Sequence, residues 1–264
     1  MKMINQAMRY TLLCTIATLL FISGTHAQPA GTTNFYPNIK VYNLSALWQS
    51  DKLLLLSLNK YEPFPQPLGI IGKNYQRFYI HYTSVIKDAG NPYQYKVQGK
   101  TRVGTQVRPF TGTIKILQAG IYKSGNAYAP ETYKGYKRGQ MICNLTINED
   151  SKIPGSGTIA GNLTTNFCLN AKNQLLYDTL DFGSDGYGNN QFSGNWIANG
   201  SKQSQKLQFG DITIYDSPFS DIDGITVPPQ YEKYGWQNYV SAISNDNRPA
   251  SKAAITEEKR QWWK

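Results

Sequence analysis

Tyr75-Gln-Arg-Phe-Tyr-Ile-His-Tyr-Thr-Ser-Val-Ile86 is dense in aromatic and β-branched side chains and runs into Asp88-Ala-Gly-Asn-Pro92. The first group suits a pleated, half-buried surface; the second must turn. Tyr93-Gln-Tyr-Lys-Val-Gln-Gly99 then alternates apolar and polar side chains, the period of a strand with one face buried. Gly104-Thr105 turns the chain into Val107-Arg-Pro-Phe-Thr-Gly-Thr-Ile-Lys-Ile116. Further on, Asn199-Gly200, a favoured type I′ hairpin dipeptide, separates residues 192–198 from 206–215. Helical periodicity is scarce throughout. Short strands at this spacing predict an all-β antiparallel meander forming a barrel-like domain, with a β-sandwich as the alternative.

A short echo runs through the strands. Phe110-Thr-Gly-Thr-Ile114, Ile159-Ala-Gly-Asn-Leu163 and Phe192-Ser-Gly-Asn-Trp196 share the form apolar-small-Gly-polar-apolar. In a strand the two apolar residues and the glycine face one side, and the glycine leaves room for a large neighbour or a bend. Lys52-Leu-Leu-Leu-Leu-Ser-Leu58 is the most hydrophobic stretch beyond the first residues, and its length reads as a buried strand.

The start of the chain reads as a leader. Lys2 and Arg9 precede an apolar run from Tyr10 to Ile22, too short to span a bilayer, and Ser23-Gly-Thr-His-Ala27 supplies small residues for cleavage. The organisation expected is a signal peptide over 1–27, a loose lead-in over 28–37, a β-domain over 38–227 and an extension over 228–264. That extension holds a short helix or aromatic lid near Tyr231–Val240, then a mobile or docked segment ending in Trp262-Trp263, for which a membrane-surface contact is a minor alternative. Cys14 lies in the apolar run without the flanking residues of a lipid-attachment site. Cleavage near Ala27 implies a periplasmic or secreted protein. The formal charge is +10; removing Lys2 and Arg9 leaves 25 basic against 17 acidic residues, a net +8 that favours acidic partners, although the positive residues are dispersed.

Two cysteines remain, Cys143 and Cys168, with the turn signal Pro154-Gly-Ser-Gly157 between them. If Gly155 and Ser156 are the central residues of a tight hairpin, Cys143 faces Cys168 across the strands. Cβ atoms would then lie about 4.5–5.5 Å apart, within reach of a bridge in an oxidising compartment. A Cys143–Cys168 disulfide is the favoured reading, two buried thiols the alternative.

Catalytic signals are sparse. His81 is the one histidine beyond the leader, and it reads as a strand residue with its polar edge satisfied. No Gly-x-Ser-x-Gly elbow, phosphate-binding loop, dinucleotide fingerprint or zinc spacing is present. The acidic loops 181–190 and 216–224 could offer oxygen ligands to calcium, but Asp, Asn and Gly also build ordinary turns, the favoured reading. Glu62, Glu131, Glu149, Asp181, Asp185 and Glu232 are available as a carboxylate pair for glycoside hydrolysis, and no motif selects two of them. Asn43, Asn144, Asn162 and Asn199 open glycosylation triplets that matter only in a glycosylating host. The 19 Tyr and 5 Trp are the richest remaining resource, and the loop-side members Trp196, Tyr187 and Trp236 are the candidate ligand-binding residues.

Pro92-Tyr-Gln-Tyr-Lys-Val-Gln-Gly-Lys-Thr-Arg-Val103 followed by Phe110-Thr-Gly-Thr-Ile114 resembles secreted bacterial all-β proteins with a meander of strands, similar to a lipocalin-type barrel. A Gly-x-Trp stands at Gly194-Asn-Trp196, late in the chain rather than near its start as in lipocalins. The resemblance implies a barrel that permits a cavity and brings no catalytic residues. The expectation is an exported, non-enzymatic binding protein for an apolar or amphipathic ligand, with no cofactor, no metal and no nucleic acid. A carbohydrate-binding module or glycan-processing accessory, and an envelope structural or interaction protein, stand as alternatives.

Overall fold

Along Lys137–Glu149 the residues Met141, Cys143, Leu145 and Ile147 are buried, while those between them are part-exposed. That two-residue period repeats on the neighbouring strands and folds them into a sheet with one oily side, each buried side chain stabilising by about 1.5–3 kcal/mol. The computed structural model describes residues 28–128, 133–221, 224–244 and 248–264. The leader expected over 1–27, with Cys14, and Glu131, Asp223 and residues 245–247 lie outside the described residues.

The protein is all-β and antiparallel, with short helices at its ends. In chain order the elements are β1 (Thr32–Asn34), α1 (Tyr36–Ile39), a 3-10 turn (Ser45–Leu47), β2 (Lys52–Leu55), β3 (Lys60–Pro63), β4 (Leu68–Ile71), β5 (Gln76–Lys87), β6 (Gln94–Val103) and β7 (Gln106–Tyr122). Then come β8 (Lys137–Glu149), β9 (Gly157–Leu169), β10 (Leu175–Tyr177), β11 (Asn189–Ala198), β12 (Ser204–Asp211), β13 (Ser220–Asp221), β14 (Gly224–Ile225), α2 (Pro229–Glu232), α3 (Gln237–Ile243) and α4 (Pro249–Glu258). Strands β4 to β9, β11 and β12 each pair with the next ring strand in the chain, and β12 returns to pair with β4, making a closed ring of eight. The expected meander is therefore present. β1 and β10 add short pairings to β7 and β9, so the segment expected as a loose lead-in contributes a strand.

The interior carries one large apolar cluster that includes Phe78, Ile80, Tyr95, Ile114, Met141, Leu163, Phe192 and Phe209. The glycine echo has a structural meaning here. Gly161 and Gly194 are partners across β9 and β11, and a Cβ on either would collide with the Phe192 ring and with the opposing backbone. Those two positions let an aromatic ring lie flat across the wall. One end of the ring is closed by the chain from Ile39 to Leu55, which inserts Leu44, Leu47, Trp48, Leu53 and Leu55. The leucine run is thus a hairpin strand, β2 with β3, with Leu53 and Leu55 buried and Leu58 left exposed beyond it.

The C-terminal segment forms an outer layer docked on the ring. Trp236 packs with Ile70, Ile214, Phe219, Ile225 and Val227 in a second cluster. Helix α4 is clipped to β5 and β6 by Arg77–Glu258 at 3.1 Å and Arg102–Glu257 at 3.5 Å. The Arg77 guanidinium lies 4.3 Å from the Trp236 ring centre and 4.7 Å from Tyr79; Arg102 lies 3.8 Å from Tyr79. Trp262 is buried against Tyr79 and Trp263 stacks on His81.

The expected disulfide is corrected by the register of β8 and β9. Cys143 faces Leu163, Cys168 faces Arg138, and both thiols are free. The hairpin is centred on Ile153, because Asp150 first makes a turn of its own: its carboxylate accepts from Lys152 N and its carbonyl from Ile153 N. A second turn, Ser156 N to Ile153 O, follows before the strand resumes. The pairing therefore differs by five residues from that of a tight Gly155-Ser156 turn. An odd displacement puts the thiols on opposite faces of the sheet.

Candidate functional site

Three prolines alternate in Pro63-Phe64-Pro65-Gln66-Pro67, just before β4. Proline has no N–H to donate, so this segment cannot extend the β4–β5 ladder. Pairing of β5 with β4 stops at Phe78, yet β5 continues to Lys87. The ring wall is consequently open beside Ile80, His81 and Tyr82, and a pocket enters there.

The pocket has a volume of about 210 Å³. Its deep walls are Trp48, Ile80, Tyr82, Leu163 and Phe209, with Phe64 at the prolyl segment. Its polar floor is Asn190 and Asp211; Asp51, Gln66, His81, Trp263 and Lys264 stand around the mouth. Trp48, Tyr82, Asn190 and Asp211 are all buried.

Local backbone features aim the floor residues inward. The register of β11 shifts between Asn189 and Phe192, and Asn190 sits at φ 47° within that irregularity. Such an extra residue turns a side chain that would otherwise alternate away from the interior. Asp211 is the last residue of β12, and the next residue, Ile212, has φ 72°. A β-branched residue there is strained, at a cost of roughly 1–2 kcal/mol. The strain ends the strand with the Asp211 side chain inside.

A hydrogen-bonded chain fixes these groups. Trp48 Nε1 donates to Thr165 Oγ1 at 2.9 Å, and Thr165 Oγ1 donates to Asn190 Oδ1 at 2.8 Å. Asn190 Nδ2 donates to Leu47 O at 2.8 Å and to Asp211 Oδ2 at 2.7 Å, so the amide has one consistent orientation. Tyr177 donates to the same Oδ2 at 2.8 Å. Asp211 Oδ1 and the Tyr82 hydroxyl are buried without any protein partner.

Burial drives the ionisation of this site. Desolvation pushes the Asp211 carboxyl up to about 7, against the pull of the Tyr177 and Asn190 hydrogen bonds. Burial, with the Asp211 and Cys143 charges as smaller contributors, holds the Tyr82 phenol far above its ordinary value. At the mouth His81 is brought down to about 4 by burial, so its ring is neutral. Its Nδ1 lies 2.9 Å from Gln66 Oε1, which makes Nδ1 the protonated nitrogen, and Trp263 stacks on it at 3.8 Å.

The residues singled out from sequence fall elsewhere. Trp196 closes the opposite end of the β11–β12 pair, with Nε1 3.0 Å from Glu149 Oε2. Tyr187 donates to Asp178 O at 2.6 Å and stands behind Tyr177, close enough for the two hydroxyls to influence each other. Trp236 is 0% exposed, donates to Tyr75 O at 2.8 Å and presents no surface to a ligand. Of the carboxylates considered as a pair, Glu149 is spent on Thr101, Gly157 and Trp196, and Asp181 on Tyr133 and Arg138. The two carboxylates that do line one pocket, Asp51 and Asp211, were not singled out. The signal available for them was indirect: the alternating prolines that open the wall beside β5. Among the described residues no three His, Cys, Asp or Glu side chains gather to hold a metal, and no helix is long and apolar enough to cross a membrane.

Compared with known protein-family models, curated proteins and solved structures, this chain finds no match.

Proposed function

We propose that the chain is an exported, non-enzymatic binding protein that takes a small amphipathic ligand through the opening beside β5. The observation that carries this reading is the pocket itself: apolar walls inside a closed ring of strands, ending on a polar floor with two buried atoms left unpartnered. A few convergent polar groups in an apolar cavity are the usual form of a small-molecule site. Cavities of about 150 Å³ admit a benzene ring, so 210 Å³ suits one ring with a substituent. The eight-stranded ring supports the lipocalin-like barrel expected from sequence, and the charged and apolar pattern of residues 1–27, read as a leader, is the support for export to the periplasm or beyond.

Native mass spectrometry of the protein recovered from the envelope of its producing cell tests the reading. A bound mass of one-ring size, lost on unfolding and reduced by narrowing the pocket with Leu163→Phe, is the expected result. A chain that carries nothing from that source, and binds no small molecule when offered, would transfer the weight to an envelope-interaction role.

A further inference from the structure

Asp211 is 1% exposed, and among the described residues no Lys, Arg or His side chain pairs with it. Its Oδ2 accepts from two neutral donors, and its Oδ1 accepts from none. A buried acid ordinarily finds a cation or loses its charge, because desolvation of an unpaired carboxylate is costly. Burial indeed holds this one near the point of neutrality. The open Oδ1 leaves room for a positive group that no described side chain supplies.

The surroundings of the open Oδ1 are equally specific. Trp48, Phe64, Tyr82, Phe209 and Trp263 line the pocket, and aromatic faces attract cations electrostatically. The Tyr82 hydroxyl, 7% exposed including its ring, offers a lone pair without a protein partner. A second carboxylate, Asp51, stands at the mouth, and His81, which also lines it, is neutral. Lys264, also at the mouth, is the one cationic side chain lining the pocket, and its exposure keeps its charge in solvent.

We infer that the pocket selects a cyclic or aromatic ammonium compound, whose nitrogen donates to Asp211 Oδ1 and Tyr82 Oη while its ring lies among the aromatic walls. The inference rests on the binding reading above and names its ligand class. Competing chemistries fit less well. A carboxylate would meet Asp211 with like charge. A neutral hydroxyl would satisfy the two open atoms, yet leave the acid without a counter-charge.

Isothermal titration of the purified protein at pH 8 with benzylamine, benzyl alcohol and benzoate separates these cases on one ring size. Benzylamine is expected to bind at least tenfold more tightly than benzyl alcohol, and benzoate not at all. Asp211→Asn keeps the shape and is expected to weaken benzylamine at least tenfold while sparing benzyl alcohol, with a thermal melt reporting that the variant is folded. If that variant does not fold, the three wild-type affinities decide by themselves. Benzyl alcohol equal to or tighter than benzylamine would overturn the ammonium assignment and leave a binding protein. Failure of all three probes, with no bound mass in the native spectrum, would overturn both.

Discussion

Glu149 and Asp211 are buried carboxylates set at opposite ends of the β11–β12 pair, and the fold treats them differently. Glu149 accepts from Thr101 Oγ1 and Gly157 N on its two oxygens, and from Trp196 Nε1 on the second. Asp211 has one oxygen saturated and the other bare. A saturated buried carboxylate ties strands together, here β6, β8, β9 and β11. A half-saturated one stores desolvation energy that a ligand can release. The ring packs tightly around the first, while the second lies on the floor of the pocket that enters through the wall beside β5.

The largest break in that comparison should come from Glu149→Ala. It leaves a hydroxyl, an amide and an indole N–H without their acceptor and should cost about 3–5 kcal/mol in urea unfolding. Asp211→Asn should leave stability at pH 8 unchanged or raised, since it removes a buried charge with no counter-ion. Equal losses at the two sites would dissolve the distinction.

The next effect is its pH dependence. The Asp211 carboxyl is at about 7 in the folded chain against 3.8 in the unfolded one. The folded state thus holds the proton more firmly, and stability falls as pH rises from 4 through 7. Between pH 5 and 8 wild type should lose about 3 kcal/mol relative to Asp211→Asn. Parallel stability curves for the two proteins would refute the buried, raised carboxyl.

A smaller change should follow Trp263→Ala. This ring covers His81 at the pocket mouth, and an aromatic stack contributes about 0.5–1.5 kcal/mol beyond its area. Melting should shift slightly, while benzylamine should dissociate several-fold faster; an unchanged off-rate would detach the tail from the pocket. The smallest response belongs to the thiols. Both are buried and pushed far above the ordinary range by desolvation, so a thiol reagent should reach neither Cys143 nor Cys168 in the native protein and both after unfolding.

The strands were legible because their information is local. The alternation in residues 93–99 and the Gly104-Thr105 turn reappear as the β6–β7 hairpin, with Val103 facing Gln106. Two glycines of the echo, Gly161 and Gly194, also lie where a large ring needs space, whereas Gly112 lies against the backbone of β8. The site was not legible, because its members come from five separated parts of the chain: Trp48, Phe64, Tyr82, Asn190 and Asp211. Only closure of the ring brings them together. The aromatic residues chosen for their loop positions, Trp196 and Trp236, are held instead by indole hydrogen bonds to Glu149 and Tyr75 O. A tryptophan beside a turn signal carries no mark of whether its N–H will find a partner inside. The cysteine pairing failed for a related reason: Asp150 opened a turn several residues before the glycines that announced one.

That five-residue difference in register has a kinetic consequence. In the native pairing Cys143 and Cys168 are on opposite sides of a sheet and cannot meet. In the slipped hairpin turning at Gly155-Ser156 they would be direct partners, and Leu163, Thr165 and Phe167, buried on β9, would be matched to the outward Asn148, Thr146 and Asn144 of β8. An oxidant acting on the nascent hairpin would weld the wrong alignment, with Leu163 and Phe167 displaced from the oily side. Oxidative refolding should then partition between a reduced native chain and a covalently trapped misfold. Replacing either cysteine with alanine would abolish the dead end, at a cost set by the lost packing of one small thiol.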